Sequence, residues 1–365
     1  MLRTEVYTLN MGPQHPSTHG VLRVILELDG ETVVHARPDV GYLHRGIEKL
    51  AESRTYLQVT PYTDRLDYIS GMSNNLAYSL TVEKLLGAEI PERAQYLRVI
   101  MAELNRLASH FVCIGSMAID TGAVTGMIFA FRVRERVLDL FDLICGSRMT
   151  YNYVRIGGVM ADVTPEFMTA LEKFIEDFPE LLGKYDTLMT GNEIYYHRLV
   201  NTGKFSGERA LAHGVTGPIL RASGVDVDLR RDQPYSGYER FKFTVPLRQN
   251  GDNWDRYTIR LDEMRQSIEI IKQAMASLPE GPIMAKIPKV IKPPKGEAYH
   301  CIESPRGELG FYIVSDGGLK PYRMHVRRPS FINLSALDDM CRGDKLSDVV
   351  VSLATLDPIL GEVDC

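Results

Sequence analysis

Hydrophobic and polar residues alternate at the two ends of the chain, whereas apolar residues in the middle recur with the period of a helix. Residues 4–9 and 21–28 alternate in this way and predict two β-strands. Asp29-Gly30 is a strong hairpin signal that joins the second strand to a third, which ends at Arg37-Pro38-Asp39. The first 40 residues are therefore expected to form a small antiparallel meander.

Long helical patterns fill most of the region between residues 41 and 282. Apolar residues three and four apart, with proline and glycine at the boundaries, predict helices over residues 44–59, 64–86, 91–119, 124–145, 164–189 and 255–278. Several long helices with short connections are typical of a bundle-like core.

From residue 283 onwards the pattern returns to short strands. Residues 283–295 are basic and proline-rich and predict an exposed connection, followed by strands at 297–303, 308–315 and 320–328. Residues 347–356 favour a helix over a strand, with Ser347 as its N-cap. We therefore expect an α+β fold: a helical bundle core with small antiparallel β layers from the N- and C-terminal parts, divided as 1–40, 41–282 and 283–365 within one integrated domain.

The composition is that of a soluble globular protein: 365 residues, 44% hydrophobic and 24% charged, with a formal net charge of −5. A nucleic-acid-binding protein would normally carry a basic excess, so that class is not expected. No apolar run approaches the roughly 18 residues needed to cross a bilayer. The first residues resemble neither a secretory signal nor a transit peptide. These features predict a cytosol-like compartment, with any membrane contact made through partners.

Local motifs leave the chemistry open. The five cysteines lie far apart and form no CxxC pair, which favours mostly buried thiols over a disulfide framework or a metal site made by this chain alone. The sequence contains no P-loop, no strand–GxGxxG–helix unit and no GxSxG elbow. The loop at residues 11–20 combines two glycines and two prolines with His15 and His19. Composition alone favours an ordinary hairpin loop with solvated histidines.

Several longer segments resemble a known family. They are residues 12–23 (GPQHPSTHGVLR), 41–46 (GYLHRG), 64–68 (DRLDY), 153–158 (YVRIGG), 220–224 (LRASG), 234–238 (PYSGY), 304–318 and 354–358 (ATLDP). This ordered set is spread over nearly the whole chain and resembles the D subunit of complex I, the quinone-reducing, forty-nine-kilodalton subunit. The resemblance implies a fold shared with the large subunits of nickel–iron hydrogenases.

The resemblance also implies a function and a setting. The chain would be the quinone-binding subunit of a proton-translocating NADH:quinone oxidoreductase, and it would bind no metal itself. Electrons would pass from the terminal 4Fe-4S cluster of the B subunit to ubiquinone or menaquinone. The expected partners are the B, C and I subunits and the membrane-embedded H and A subunits, with NADH oxidised elsewhere and no nucleic acid bound. The expected location is peripheral, on the cytoplasmic side of a bacterial inner membrane.

A hydrogenase activity is disfavoured by the same kinship. Hydrogenase relatives hold their metal with two CxxC pairs, one early and one in an Asp-Pro-Cys-x-x-Cys ending. The corresponding positions here, residues 64–68 and the ending Asp357-Pro358-Ile359-Leu360-Gly361, contain no cysteine. Thiolate ligands for nickel or iron are therefore missing from both places.

Three residues match the quinone-head site of the family: His19 in the opening loop, Tyr68, expected on the second helix, and Asp120 at the end of the third. Reducing a quinone takes two electrons and two protons. An imidazole with a pKa near ~6.5 and a phenol near ~10 can hydrogen-bond the two quinone oxygens. Asp120 beside His19 would favour the charged imidazole. Without the resemblance they would be taken as a loop histidine, a core tyrosine and a helix-terminal aspartate, and His15 is expected only to structure the loop.

Arg45 and Arg65 match family arginines near the cluster of the B subunit. A nearby guanidinium stabilises the more negative, reduced cluster, whereas the alternative is a pair of ordinary surface or salt-bridged arginines. Thr150 stands where many family members carry a cluster-proximal histidine. Because threonine does not titrate near neutral pH, we expect a weakly pH-dependent and lower cluster potential, which would suit menaquinone.

Two interpretations stay open on the sequence. The chain is either a catalytic quinone-binding subunit or a structural subunit that scaffolds the junction without chemistry. The presence of His19, Tyr68 and Asp120 together favours the first. The electron donor of the complex, whether NADH, ferredoxin or a deazaflavin, is not determined by this chain.

Overall fold

The computed structural model describes residues 5–15, 18 and 20–365. A helical core is accompanied by two three-stranded antiparallel sheets, which confirms the predicted α+β class. The first sheet comes from the N-terminal part of the chain and the second from the C-terminal part, as the alternating patterns predict.

The N-terminal sheet contains β1 (Val6–Met11), β2 (Arg23–Asp29) and β3 (Thr32–Asp39), paired in chain order. Along β2 the side chains of Val24, Leu26 and Leu28 are fully buried, as expected for a strand with one covered face. Gly30 supplies the left-handed backbone, φ 62°, that the turn between β2 and β3 requires. The covered face of the sheet shares a hydrophobic cluster with the last helices of the chain.

The helical core is built around α4 (Glu92–Asp120), which is buried along most of its length. This helix contacts α3 (Gly71–Leu86), α5 (Val124–Cys145) and α11 (Asn253–Ala276), which match long helices that the sequence predicts. The apolar stripe predicted for α4 is buried at every position: Leu97, Ile100, Met101, Leu104, Leu107 and Ala108.

A further long helix, α6 (Pro165–Tyr185), is capped by Thr164 and continues through a π-helical turn over Asp186–Thr190. None of the helices in the described ranges combines the length and apolarity that a membrane span requires. The remaining elements are α1 (Ile47–Ala51), α2 (Tyr56–Thr63), β4 (Val154–Arg155), β5 (Gly158–Val159), α7 (Glu193–Leu199), α8 (Gly207–Ala212), α9 (Pro218–Ala222), α10 (Leu229–Asp232), a 3-10 turn over Tyr238–Arg240, β6 (Gly296–Ser304), β7 (Gly307–Ser315), β8 (Arg323–Arg327), α12 (Pro329–Leu334), α13 (Leu337–Cys341), α14 (Leu346–Leu356) and α15 (Leu360–Val363).

The prediction of one continuous helix over residues 44–59 is wrong, because the structure has two separate helices there, α1 and α2. Thr55 interrupts it: the Thr55 side chain accepts a hydrogen bond from the Gln58 amide, and the Gln58 side chain accepts one from the Thr55 amide. This capping box starts α2 as a separate helix.

The helix predicted over residues 64–86 begins only at Gly71. The carboxylate of Asp67 accepts hydrogen bonds from the amides of Ile69 and Ser70, both at 3.1 Å. Such a local bond offers the backbone an alternative to the helix and favours a turn. Residues 64–70 therefore form a turn segment between α2 and α3, which we call the 64–70 turn.

The helix predicted over residues 347–356 is confirmed, but Ser347 is not its N-cap. Lys345 occupies that position, and its amide donates to the Asp348 carboxylate at 3.3 Å. Hence α14 begins one residue before Ser347, at Leu346.

Ion pairs inside the core connect its elements. Arg98 of α4 pairs with Glu83 of α3 at 2.5 Å, and Arg221 of α9 pairs with Glu263 of α11 at 2.7 Å and Glu303 of β6 at 2.8 Å. All five side chains are buried. Because an unpaired charge there would be costly, these pairs fix the relative positions of the elements that carry them.

All five cysteines lie in the described part of the chain and are free thiols. Cys113, Cys341 and Cys365 are buried, which confirms that most of these thiols belong to the interior. Burial raises the pKa of the Cys113 thiol to about 12, so this thiol stays protonated and unreactive.

Candidate functional site

The 64–70 turn presents Tyr68 at the boundary between the core and the surface. Leu66 and Asp67 on one side of the turn are buried, whereas Tyr68 is half-buried. The middle of α4 holds this segment, because the Asn105 side chain donates to the Ile69 carbonyl at 2.9 Å and accepts from the Met72 amide at 3.0 Å. The tyrosine is thus carried by a turn that is fixed against the central helix.

Arg306 fixes the same turn through the carboxylate of Asp67. It is fully buried in the turn between β6 and β7, and its Nη1 donates to Asp67 Oδ2 at 2.5 Å and to Ser109 Oγ of α4 at 3.0 Å. Its Nε donates to the Asp357 carbonyl at 2.8 Å, and its Nη2 to Asp357 Oδ1 at 3.1 Å. One guanidinium therefore connects the 64–70 turn, α4 and the end of α14.

Arg45 lies beside Tyr68 and contacts the backbone of Arg65. Arg45 Nη2 donates to the Arg65 carbonyl at 2.6 Å and to the Gly361 carbonyl at 3.0 Å, and Arg65 Nη1 donates to the Pro61 carbonyl at 2.5 Å. Both arginines are exposed. A Cβ on Gly361 would lie 3.0 Å from Tyr68 Cε1 and 2.6 Å from the Leu66 carbonyl, so only glycine lets α15 approach the turn this closely.

The opening loop reaches the same region through α15. The Thr18 hydroxyl lies 2.8 Å from the His15 carbonyl and 2.9 Å from the Gly20 carbonyl, and a Cβ on Gly20 would lie 3.1 Å from Leu360 Cδ1. His19, the histidine predicted to bind the quinone, lies outside the described residues. Gly20 lies against α15, the helix that also contacts Tyr68.

The structure brings Arg45 to Tyr68 and to the backbone of Arg65, and it corrects one placement. Tyr68 is in the 64–70 turn and not on the second helix, because the Asp67 side chain favours a turn there. Asp120 is the last residue of α4, as predicted, and is half-buried. It lies eleven residues beyond Ser109, about 16 Å further along the helix axis.

The phenol of Tyr68 is a weaker acid than usual. Burial raises its pKa, and the Asp67 carboxylate adds to this effect, whereas Arg306 and Arg45 oppose it. The hydroxyl therefore stays protonated at physiological pH and can donate a hydrogen bond to an acceptor such as a carbonyl oxygen.

Two buried carboxyl groups, one in the 64–70 turn and one in α15, have pKa values that are raised towards neutral pH. Burial raises the pKa of Asp64 to about 7, although the Asn152 amide donates to it at 2.9 Å. Burial, together with the charge of Asp67, raises the pKa of Glu362 to about 7, and the Ser330 amide donates to Glu362 at 3.0 Å. Groups of this kind can hold or release a proton in the range where the phenol cannot.

Thr150 belongs to a loop that contacts the 64–70 turn. Thr150 and Asn152 adopt the left-handed backbone region, with φ 58° and 46°, which is uncommon for residues other than glycine. The Asn152 amide is the donor to Asp64, so the loop is tied to the residue that precedes Arg65. The Thr150 hydroxyl donates to the Met149 carbonyl at 2.6 Å.

Sequence reasoning missed the residues that hold the site in place. Asp67, Arg306, Asp357 and Gly361 all lie in or beside segments that carry the family resemblance, yet the pattern there predicts only turns and a helix stop. One signal could have indicated them: the segments 64–68, 304–318 and 354–358 carry the oppositely charged residues Asp67, Arg306 and Asp357, which can form ion pairs. Within the described ranges, no group of three or more His, Cys, Asp or Glu side chains could hold a metal ion.

Comparison with known proteins gives a consistent result. The profile of the family described as the respiratory-chain NADH dehydrogenase 49 Kd subunit matches residues 120–295 and 287–365. Proteins named as the D subunit of NADH-quinone oxidoreductase from Clostridium beijerinckii and Desulforamulus reducens are each 58% identical to the chain over 363 residues, covering all of it and 98% and 99% of their own lengths. The protein of that name from Carboxydothermus hydrogenoformans is 54% identical over 365 residues, with both chains fully covered.

Proposed function

Because the chain belongs to the family of the respiratory-chain NADH dehydrogenase 49 Kd subunit and is a subunit of an oxidoreductase complex, we propose that it forms the quinone-binding site of that complex. In this proposal Tyr68 donates a hydrogen bond to one quinone oxygen, and His19 and Asp120 form the second donor and its orienting partner. The observation that carries the proposal is the half-buried, protonated Tyr68 on a turn locked by Arg306 and covered by Gly361.

The chemistry requires two electrons and two protons for each quinone converted to quinol. The electrons would come from a 4Fe-4S cluster held by the B subunit, and Arg45 and Arg65 would face that cluster and stabilise its reduced form. The two protons would be supplied to the quinone by side chains of this chain. In this proposal Asp64 of the 64–70 turn and Glu362 of α15, whose pKa values are raised to about 7, would replace a proton lost from Tyr68.

The proposed setting follows from the same membership. The chain would assemble with the B, C and I subunits and with the membrane-embedded H and A subunits, peripherally on the cytoplasmic side of a bacterial inner membrane. NADH would be oxidised in other subunits, and ubiquinone or menaquinone would be the acceptor. Quinone reduction would be coupled to proton translocation by the membrane-embedded subunits.

The test is Tyr68→Phe in the assembled complex. We expect quinone reductase turnover to fall about 100-fold, because the hydroxyl that donates to the quinone is lost while the ring that packs against Gly361 remains. Assembly of the complex and reduction of the cluster by NADH, followed by electron paramagnetic resonance, should be unchanged.

The matched control is Tyr322→Phe, because Tyr322 is 69% exposed and is not among the residues that hold the 64–70 turn. This variant should keep full turnover. Unchanged turnover in Tyr68→Phe would instead support the alternative in which the chain scaffolds the junction and performs no chemistry.

Thr150 leads to a second expectation, on the potential of the cluster. Because threonine does not titrate, the midpoint potential in the wild-type complex should change with pH by well under the about 59 mV per unit expected for one proton per electron. Redox titration of the cluster at several pH values, with Thr150→His as the variant, measures this slope. The variant should steepen it.

A wild-type slope near one proton per electron would contradict this expectation. In that case Asp64→Asn identifies the responsible group, since Asp64 has a pKa of about 7 and is hydrogen-bonded to the loop that contains Thr150. A slope that flattens in Asp64→Asn would assign the linkage to this carboxyl.

A further inference from the structure

Four aromatic rings form a continuous series of contacts between α7 and α11. The centroids of the Tyr196 and Trp254 rings are 4.9 Å apart, and those of Trp254 and Tyr257 are 5.4 Å apart. The Tyr257 ring in turn lies edge-on to the Tyr195 ring, with the centroids 5.1 Å apart. Tyr196 is 39% exposed whereas Tyr257 is fully buried, so the series leads from the surface into the interior.

The hydroxyl of Tyr257 is connected to a carboxylate. It lies 3.0 Å from Thr190 Oγ1, and the Thr190 hydroxyl donates to Asp186 Oδ1 at 2.9 Å. Because the threonine hydroxyl has a single proton, Tyr257 must be the donor to Thr190. Burial raises the pKa of Tyr257, which keeps its hydroxyl protonated in the resting chain. Phenol, hydroxyl and carboxylate are therefore ordered as donor, relay and acceptor of a proton.

The π-helical turn over Asp186–Thr190 produces this arrangement. The Gly191 amide donates to the Asp186 carbonyl, five residues earlier, at 3.1 Å. Asp186 also pairs with Arg265 of α11, the helix that carries Trp254 and Tyr257. Turns of this kind are rare and frequently lie at functional sites. The turn holds the side chains of Asp186 and Thr190 together and directs both towards α11.

Other buried tyrosines end on groups that cannot take up a proton. Tyr78, Tyr153 and Tyr185 donate to backbone carbonyls at 2.8, 2.8 and 3.1 Å. Tyr257 differs because its hydroxyl leads to a carboxylate and its ring contacts Trp254, the single tryptophan of the chain. Tryptophan and tyrosine are among the side chains that lose one electron most readily, and an oxidised phenol is a strong acid. The site therefore has the parts needed to lose an electron and a proton together.

We propose that Trp254 and Tyr257 form a one-electron oxidation relay, in which a small radical oxidant at the surface takes an electron from Trp254 and Tyr257 replaces that electron. The relay goes beyond the proposed function and uses no residue of the quinone site. It would collect oxidising equivalents at one protected phenol instead of leaving them on the indole.

Electrons and protons balance at each step. A radical oxidant, such as the azide or carbonate radical, gains one electron and becomes its anion, and Trp254 loses that electron and its indole proton. Tyr257 then gives one electron to the Trp254 radical, which regains a proton from solvent. The O–H bond of Tyr257 breaks, and its proton passes to Thr190 as the Thr190 proton passes to Asp186. A soluble thiol or enediol reductant returns one electron, and the proton moves back from Asp186.

Two phenols contact Trp254, and the proton acceptor distinguishes them. Tyr196 is at the surface, where water, a weak base, is available to take its proton. Tyr257 has a positioned acceptor within hydrogen-bonding distance, and such an acceptor accelerates proton transfer by about 100-fold or more. The oxidising equivalent should therefore reach Tyr257 and not Tyr196.

The test is pulse radiolysis of the full-length chain with azide radicals, which oxidise tryptophan. In the wild type, the absorption of the indolyl radical should decay as that of a phenoxyl radical rises, at a first-order rate that does not depend on protein concentration. Tyr257→Phe should abolish this transfer. Thr190→Val and Asp186→Asn keep all four rings but remove the path of the proton, so they should slow it about 100-fold.

The matched control is Tyr196→Phe, which removes the other phenol in contact with Trp254 and should keep the wild-type rate. Transfer that is lost in Tyr196→Phe but kept in Tyr257→Phe would overturn the proposal. So would equal rates in the wild type and Thr190→Val, or a rate that rises with protein concentration. Thr190→Val and Asp186→Asn change the proton path independently, so the test stands even if one of them fails to fold.

The relay and the quinone site fail independently of each other. None of these variants alters the 64–70 turn, so quinone reductase turnover per assembled complex should equal that of the wild type. Absence of radical transfer, with turnover still sensitive to Tyr68→Phe, would refute only the relay. Radical transfer that depends on Tyr257, with turnover insensitive to Tyr68→Phe, would refute only the quinone site.

Discussion

Replacing Arg306 by methionine is expected to destabilise the chain by about 3–5 kcal/mol and to abolish quinone reduction. The change removes one partner of a buried cluster and leaves the carboxylates of Asp67 and Asp357 without their cation, which costs far more than the loss of a surface pair. It also releases the 64–70 turn that carries Tyr68. Urea unfolding of the purified full-length chain measures the first effect, and turnover of the assembled complex measures the second.

Two further variants separate charge from geometry. Arg306→Met combined with Asp67→Asn and Asp357→Asn should recover much of the stability, because no unpaired charge then remains buried. Arg306→Lys keeps the charge but loses the fork that reaches Asp67, Ser109 and Asp357 at once, so it should fold better than methionine and still reduce turnover.

The control for the stability measurement is Arg231→Met. Arg231 pairs with Asp226 and Asp232 on the surface, where such pairs contribute about 1 kcal/mol or less. If the free energy of unfolding of Arg306→Met lies within about 1 kcal/mol of the wild-type value, the view of Arg306 as the residue that fixes the site would be wrong.

Long apolar periodicity predicted the helical core well, because α4 and its neighbours bury nearly every position that the pattern marks. The spacing of apolar residues does not reveal hydrogen bonds from side chains to the backbone that end a helix locally. Asp67 accepts two amide hydrogen bonds and Thr55 forms a capping box, and each converts a predicted continuous helix into a turn followed by a new start. The interruption at Asp67 places Tyr68 on a turn, so this error in the helix prediction falls at the candidate site.

The candidate site itself is assembled from segments far apart in the chain. Arg306 is 239 residues from Asp67, and Gly361 is 316 residues from Arg45. No spacing rule connects such positions, so residue patterns alone could not bring them together. The family resemblance supplied Tyr68, Arg45 and Arg65, but not the arginine, aspartates and glycine that hold them, because those act through contacts that only the fold defines.

The second large effect concerns pH and the carboxyl of Asp64. Its pKa is raised from 3.8 to about 7 in the folded chain, so the folded state binds this proton more tightly than the unfolded state does. The stabilisation is complete below about pH 4 and is lost as the pH rises through 7. Linkage gives a total loss of about 4 kcal/mol over this range for a fully buried group.

Asp64→Asn should remove this dependence, because asparagine resembles the neutral carboxyl in shape and carries no charge at any pH. Unfolding free energies of the full-length chain, measured in urea from about pH 4 to about pH 8, should coincide for variant and wild type at the acid end. At about pH 8 the variant should be more stable than the wild type by about 4 kcal/mol. The pKa of Glu362 is also raised to about 7, so Glu362 adds its own pH dependence to the unfolding free energy of both proteins. The variant Glu362→Gln removes that second dependence. Parallel profiles for wild type and Asp64→Asn would show that folding does not change the pKa of Asp64, so that Asp64 is ionised in the folded chain at neutral pH. The carboxyl beside Arg65 would then be an anion at neutral pH, and the proton reserve near Tyr68 would reduce to Glu362 alone.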